Sequence, residues 1–347
     1  MKIALTADPE LPVPPELYGG IERIVDMLAR GLAGRGHEVT LFAHRDSQSA
    51  GRLVPWPGRR STALGATLVN AATLARVQFQ TRFDLVHSFS RIAYMMPILP
   101  CRVPKLMTYQ RAVTPRTVRL GYQLSRGSLS FTAISDWMMQ DVKHIGSWTV
   151  IPNGVCLDTY HFAAEVGEDA PLVFLGRVEE TKGPHLAIEI ARRSGRKLII
   201  AGNIAEDKRA WVEAHVLCAV DGARIRYIGP VNDVEKNQLL GTAAALLMPI
   251  LWDEPFGIVM AEAMACGTPV LGLARGAVRE VVADGVSGFV RDDVAGLVAA
   301  VARLGELSRS ACRARVERLY SDQAVVDAYE RLYRARLQLA RRGEAAA

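Results

Sequence analysis

The sequence predicts an α/β protein made of two doubly wound domains. Three observations carry that expectation. The chain has 347 residues, enough for two domains at the usual ~150 residues each, whereas a single domain of this length would be unusually large. A strand, glycine turn, helix, strand order opens the first half and returns in the same order in the second. Half of the residues are hydrophobic and 22% are charged, the ordinary balance of a globular chain able to fill two cores.

In the first half, Lys2 to Ala7 reads as a short apolar strand, and the prolines between Pro9 and Pro15 stop it. Tyr18-Gly19-Gly20-Ile21-Glu22 follows, and from Ile21 the residues Ile24, Val25, Leu28 and Leu32 recur at helical spacing until Gly34 to Gly36. Val39 to Ala43 is the next strand, which completes a βαβ unit whose glycines allow the backbone close to a phosphate. Residues 46 to 62 read as a surface loop, and 64 to 78 as a helix. Phe83 to Phe89 is a strand with His87 near its C-terminal end, where ligands gather in open α/β sheets. Lys105 to Tyr109 and Phe131 to Ser135 are further strands, Trp137 to Lys143 is a helix, and Ile151-Pro152-Asn153-Gly154 is a turn.

Acidic and small residues from 163 to 170 read as a linker. Leu172 to Leu175 is a strand ending in Gly176-Arg177, with Lys182-Gly183 just beyond and a helix from about His185 to Arg193. Lys197 to Gly202 and Arg224 to Gly229 are strands, and Asp233 to Leu240 is a helix. The apolar run Ala243 to Leu251 fits one buried strand. It leads into Glu254-Pro255-Phe256-Gly257-Ile258-Val259-Met260-Ala261-Glu262, and Gly267 and Pro269 close the helix that begins there. With a helix opening near Gly257, Glu262 lies roughly 7.5 Å along it at ~1.5 Å per residue. The amides of Gly257, Ile258 and Val259 then have no partner inside the helix and favour an anion. Phosphate at the amides, flanked by two carboxylates suited to hydroxyls, is a site for a sugar nucleotide. Arg177 and Lys182 place two cations in one strand-to-helix loop, where fixed charge stabilises a departing pyrophosphate more than the bound ground state.

The run from Glu254 through Glu262-Ala263-Met264-Ala265, Gly267 and Pro269-Val270 resembles the signature of glycosyltransferase family 4, retaining enzymes of the GT-B fold. The resemblance implies two Rossmann-like domains facing an interdomain cleft: an acceptor-side domain over 1–160, a nucleotide-sugar domain over 161–320, and a closing helix over 321–347 that returns to the first. It places Glu254 on the donor sugar, Glu262 on the ribose, and His87, in Asp84-Leu85-Val86-His87, towards the donor sugar. Gly19 and Gly20 match the family's glycine loop near the diphosphate and acceptor, and Arg177 with Lys182 its diphosphate clamp. Val231, after Gly229-Pro230, falls where relatives pack the base with main-chain groups; Phe256 carries the chain into the phosphate-binding amides. Thr108-Tyr109-Gln110-Arg111 departs from the Thr-x-His-Gly-like sequence of many relatives, so the acceptor side is not carried over, although Arg111 and Arg116 are available for an anionic acceptor. The implied activity is transfer of a hexose from a UDP- or GDP-linked donor with retention and without a metal cofactor. A sugar-nucleotide 2-epimerase and a non-catalytic sugar-nucleotide binder are the alternatives.

Other classes are disfavoured by what the chain lacks. It has no Asp-x-Asp to hold a diphosphate through a metal, no Gly-x-Ser-x-Gly, no His-Glu-x-x-His and no complete Gly-x-Gly-x-x-Gly after the first strand. Basic residues without aromatic interleaving disfavour nucleic acid. Five scattered cysteines with no Cys-x-x-Cys fit a reducing cytoplasm, and no apolar run reaches the ~18 residues of a membrane span. The net charge of +6 and Arg334, Arg336, Arg341 and Arg342 on the last helix leave two readings open, a solvated basic face and peripheral contact with an anionic membrane.

Overall fold

The computed structural model describes residues 1–15, 19–111 and 113–343; Tyr18 of the glycine turn lies outside them. The chain forms two compact units, Met1–Gly154 with Asp322–Ala347, and Val155–Ser321. The division thus falls a few residues before 160, and the closing segment belongs with the first unit.

Unit 1 is built on seven parallel strands: β1 (Lys2–Thr6), β2 (Glu38–Ala43), β3 (Arg52–Pro55), β4 (Leu85–Ser88), β5 (Lys105–Tyr109), β6 (Leu129–Ala133) and β7 (Trp148–Val150), in the order β3-β2-β1-β4-β5-β6-β7. The inner strands are buried on both faces because helices cover both sides of a parallel sheet. β3 lies inside the stretch read as loop. It is a four-residue edge strand ending in Pro55, and an edge tolerates a proline that a central strand would not. On one face, helix Leu64–Thr81, the 3-10 segment Ile92–Ile98 and helix Pro115–Ser125 close over Phe42, Trp56, Leu74, Tyr94 and Phe131. The opposite face carries helix Gly20–Gly34 and the terminal helix Asp322–Arg342. Arg35 ties these two helices together through Asp327 (2.6 Å) and Glu330 (2.8 Å). Hydrogen bonds from Arg334 and Arg35 hold the Glu330 carboxyl down at about 2.

Unit 2 repeats the winding with six parallel strands, β8 (Leu172–Leu175), β9 (Leu198–Ala201), β10 (Ile225–Tyr227), β11 (Ala245–Met248), β12 (Val270–Leu273) and β13 (Gly288–Arg291), ordered β10-β9-β8-β11-β12-β13. In both sheets the chain winds outward on one side and then resumes on the other. The switch points lie between β1 and β4 in unit 1 and between β8 and β11 in unit 2, where the crevice beyond the strand ends receives ligands.

Helix Ile258–Ala265, joining β11 to β12, is buried from Met260 to Ala265. Its far end is held by Arg309, whose guanidinium donates to the carbonyls of Ala163 (2.7 Å), Ala243 (2.9 Å) and Gly241 (3.0 Å) and to Thr268 Oγ1 (2.9 Å). One planar fork thereby joins the entry strand, the helix exit and the segment leading in from unit 1's last strand. A lysine cannot span these acceptors, having a point charge on a flexible stem. Arg309→Lys is expected to cost about 2 kcal/mol by stranding part-buried carbonyls; thermal unfolding followed by circular dichroism reads it, and an unshifted midpoint would show that the fork holds nothing.

Candidate active site

At the switch point of unit 2 one predicted cation, Lys182, meets one predicted carboxylate, Glu254. The loop after β8 carries Arg177, then the single turn Glu180–Lys182, and ends at Gly183, which initiates helix Pro184–Ser194 with a left-handed φ of 75°. A Cβ on Gly183 would stand 2.0 Å from the Pro249 carbonyl oxygen. Only glycine lets this loop settle onto the segment following β11, where the Leu251 amide also donates to Thr181 O (2.9 Å). The contact delivers Lys182 to Glu254: Nζ lies 2.7 Å from Oε2, with the two side chains only 17% and 11% exposed. Trp252 Nε1 donates to the same oxygen (3.2 Å), and Lys182 Nζ lies 4.7 Å from the centre of the Trp252 ring.

Glu254 is fixed from behind as well. A Cβ on Gly276 would lie 2.4 Å from both the amide nitrogen and the carbonyl oxygen of Glu254, and the Ala277 amide donates to that carbonyl (2.8 Å). Glu254 Cγ is 3.2 Å from the point a Cβ would occupy on Gly257, the residue that caps helix Ile258–Ala265. An ammonium, a carboxylate and a helix N-terminus therefore share one spot. The first amides of that helix have no carbonyl one turn back to bond, so they extend the positive field of Lys182.

The remaining predicted residues separate. Arg177 is in the same loop, but its guanidinium pairs with Glu179 (3.0 Å) and is 45% exposed, rather than joining Lys182 at Glu254. Glu262, one turn into the helix, accepts hydrogen bonds on Oε1 from Tyr160 (2.6 Å) and Lys236 (2.6 Å). The Phe256 ring is buried edge-on against Tyr320, centroids 5.4 Å apart, which leaves this residue only its main chain to offer at the turn before helix Ile258–Ala265. Ile258 and Val259 supply first-turn amides, and partly buried Val231 precedes the Asn232–Glu235 capping box. Trp252, Glu179, Tyr160 and Lys236 were not anticipated. Asp233-x-x-Lys236, a helical ion pair at 3.2 Å, was the available signal for the last.

In unit 1, His87 is a correction. It has no exposed surface; Nδ1 bonds Tyr333 OH (2.5 Å) and Nε2 bonds Thr108 Oγ1 (2.6 Å). Phe89 and Tyr329 pack against its ring. Strand alternation turns it to the face that the terminal helix covers, so it is a core side chain and cannot reach a sugar. Burial pushes its pKa well below the usual histidine value. Gly19 and Gly20 start helix Gly20–Gly34, and a Cβ on Gly19 would meet Glu22 Oε2 at 2.8 Å. Glu22 is buried there, and burial raises its carboxyl pKa. Just past β1 at the switch point, Asp8 keeps Oδ1 buried with no hydrogen-bond partner among the described residues. Burial, then the nearby Glu10, pushes its pKa up to about 6, against the pull of Arg111. Asp8 was also missed, its only signal being its place directly after the first strand.

Two parallel-sheet Rossmann-like units, the second holding a cation and a carboxylate at its switch point, have the architecture of a GT-B glycosyltransferase. A model of glycosyltransferase family 4 matches residues 18–159, and one of the group 1 glycosyl transferases matches residues 159–317. The chain is 35% identical to glycogen synthase from Mycobacterium tuberculosis, over 95% of its own length and 94% of that protein. It is 29% identical to a phosphatidyl-myo-inositol mannosyltransferase from Mycolicibacterium smegmatis, over 87% and 84%. Among solved structures, AviGT4, a glycosyltransferase involved in avilamycin A biosynthesis, is 25% identical with a TM-score of 0.73, covering 97% of this chain and 98% of its own. The protein belongs to the group 1 glycosyl transferases and is a glycosyltransferase.

The position of His87 makes a measurable difference. His87→Gln is expected to cost about 2 kcal/mol through its two buried bonds while leaving the KM for the donor unchanged. A neutral buried imidazole cannot take up the proton that an unfolded histidine binds below about 6.5. Stability therefore falls as pH drops through that value, and the variant should lose this part of the slope. Urea unfolding of both proteins at neutral and mildly acid pH decides it; an identical slope in the variant would contradict the assignment.

Proposed function

We propose that this glycosyltransferase moves a hexose from a UDP- or GDP-linked donor to an acceptor hydroxyl, with retention at the anomeric carbon and without a metal ion. The observation that carries the reading is the Lys182–Glu254 pair at the N-terminal end of helix Ile258–Ala265. The diphosphate takes over Lys182 and the amides of Gly257, Ile258 and Val259, and Arg177 exchanges Glu179 for a phosphate oxygen. Glu254, released from the ammonium, accepts hydrogen bonds from the sugar hydroxyls. Glu262 receives the ribose hydroxyls on Oε2, its other oxygen being used by Tyr160 and Lys236, and the main chain at Val231 packs the base. As the bond from the anomeric carbon to the phosphate oxygen breaks, the acceptor oxygen bonds that carbon on the same face and its proton passes to the departing phosphate. Fixed cations matter most at that instant, when the leaving group carries the most charge.

A hexose donor agrees with a relative described as a mannosyltransferase. The two relatives differ in acceptor, so acceptor binding is read from this chain alone. We assign it to the switch point of unit 1, where Asp8 and Glu22 offer carboxylates suited to hydroxyl groups beside the turn at Gly19 and Gly20.

Lys182→Ala should lose ~2 kcal/mol or more of transition-state stabilisation, about thirtyfold in kcat. Steady-state kinetics on folded variant reads this, and wild-type turnover would sink the role given to Lys182. For the acceptor, kcat/KM is expected to rise with pH through about 6 as Asp8 ionises and becomes an acceptor only. Asp8→Asn should flatten that limb; a profile that keeps it means another group is responsible.

A further inference from the structure

The positive charge of this protein is unevenly distributed. Residues 47 to 135 contain twelve arginines and lysines against a single acid, Asp84, while the whole chain carries only +6. Asp84 is itself used by the backbone, accepting from the Lys2 amide at 2.7 Å. On the last helix five arginines are set against Asp322, Asp327 and Glu330, and two of the five are engaged, Arg334 with Glu330 (2.5 Å) and Arg336 with Ser147.

The same stretch presents apolar side chains to solvent. Seven of the thirteen well-exposed large apolar residues recorded among the described residues fall between 64 and 124, which is clustering rather than the scatter of an ordinary surface. On helix Leu64–Thr81, Leu64 (75% exposed), Leu68 (62%) and Phe79 (63%) fall with Ala72 within an arc of about 80°, at ~100° per residue. Arg76 borders the arc. Helix Pro115–Ser125 buries Val118 and Gly121 and turns Arg119, Leu120 and Leu124 outward. Both helices sink their inner faces into one cluster on one side of the sheet, together with the segment Ile92–Ile98, which exposes Met96. Their outer faces therefore look the same way.

We propose that this face of unit 1 docks on an anionic phospholipid bilayer, the two helices lying in the interfacial plane. The partner follows from the chemistry of the face. Leucine, phenylalanine and methionine gain by leaving water for the acyl boundary, and the interleaved arginines gain from headgroup phosphates. A nucleic acid backbone would satisfy the arginines and leave Leu68 and Phe79 in water. This docking is independent of the transfer reaction and uses none of the residues assigned to it.

The test is flotation of the full chain with vesicles of phosphatidylglycerol and phosphatidylcholine in equal parts, and with phosphatidylcholine alone. Wild type is expected to float with the anionic vesicles only, and less as salt is raised. Replacing Arg76, Arg119 and Arg126 by Gln should weaken partition roughly a hundredfold, at about fivefold per arginine, and Leu68→Glu with Phe79→Glu should weaken it roughly tenfold or more. These side chains point outward, so unchanged circular dichroism melts will separate lost docking from lost folding. Equal flotation with both vesicle types would overturn the proposal. So would apolar variants that float like wild type while a single-stranded oligonucleotide competes the protein off, or a lipid-free dimer abolished by Phe79→Glu.

Discussion

The contact between Lys182 and Glu254 is the interaction around which unit 2 is arranged. A buried ammonium without a partner would be costly, and so would a buried carboxylate at a crowded backbone turn. Each relieves the other in the absence of substrate. In the function proposed above, an anion arriving at the helix end takes the ammonium without first stripping it of water, and hydroxyl donors satisfy the carboxylate left behind. The desolvation of the pair is thus settled during folding.

That contact is imposed by the backbone. At Gly183 the loop after β8 lies against the Pro249 carbonyl, and at Gly276 the loop after β12 lies against Glu254 itself, both closer than any side chain permits. The segments that follow three neighbouring strands, β8, β11 and β12, are pressed together there. Strands end there for topological reasons, whereas the approach of their loops depends on two missing methyl groups.

Much of this was legible in the sequence. Parallel strands buried on both faces read as short apolar runs, and the glycines after them mark turns, so the two windings were visible. Lys182 and Glu254 were singled out because loop cations and a helix-opening acid have local signatures, and the structure pairs them. What was not legible was which partner each side chain takes. His87 sits at a strand end, where a ligand is expected, but the helix covering it is supplied by Tyr329 and Tyr333 from far along the chain. The partner of Arg177 is a neighbour two residues away, and no spacing rule says that an arginine will choose it over a more distant carboxylate. Phe256 was grouped with the binding residues because its amide neighbours are; its ring obeys hydrophobicity instead and turns into the core. The strand Arg52–Pro55 was missed because a short edge strand with a proline is chemically almost a loop.

Charge shows the same limit from the other side. A net value of +6 averaged over the chain says little, because cations here do two kinds of work. In unit 2, Lys182, Lys236 and Arg309 are drawn inward, and each is matched by carboxylates or carbonyls that it organises. Such cations contribute to geometry and almost nothing to the field outside. In unit 1, arginines on the outer faces of two helices sit in a stretch with one acid, so their field extends into solvent over about a Debye length, near 10 Å at ordinary salt. A titration of the whole protein would weigh the two sets equally. Only their depth and their neighbours distinguish a charge that holds the protein together from one that is held out to a partner.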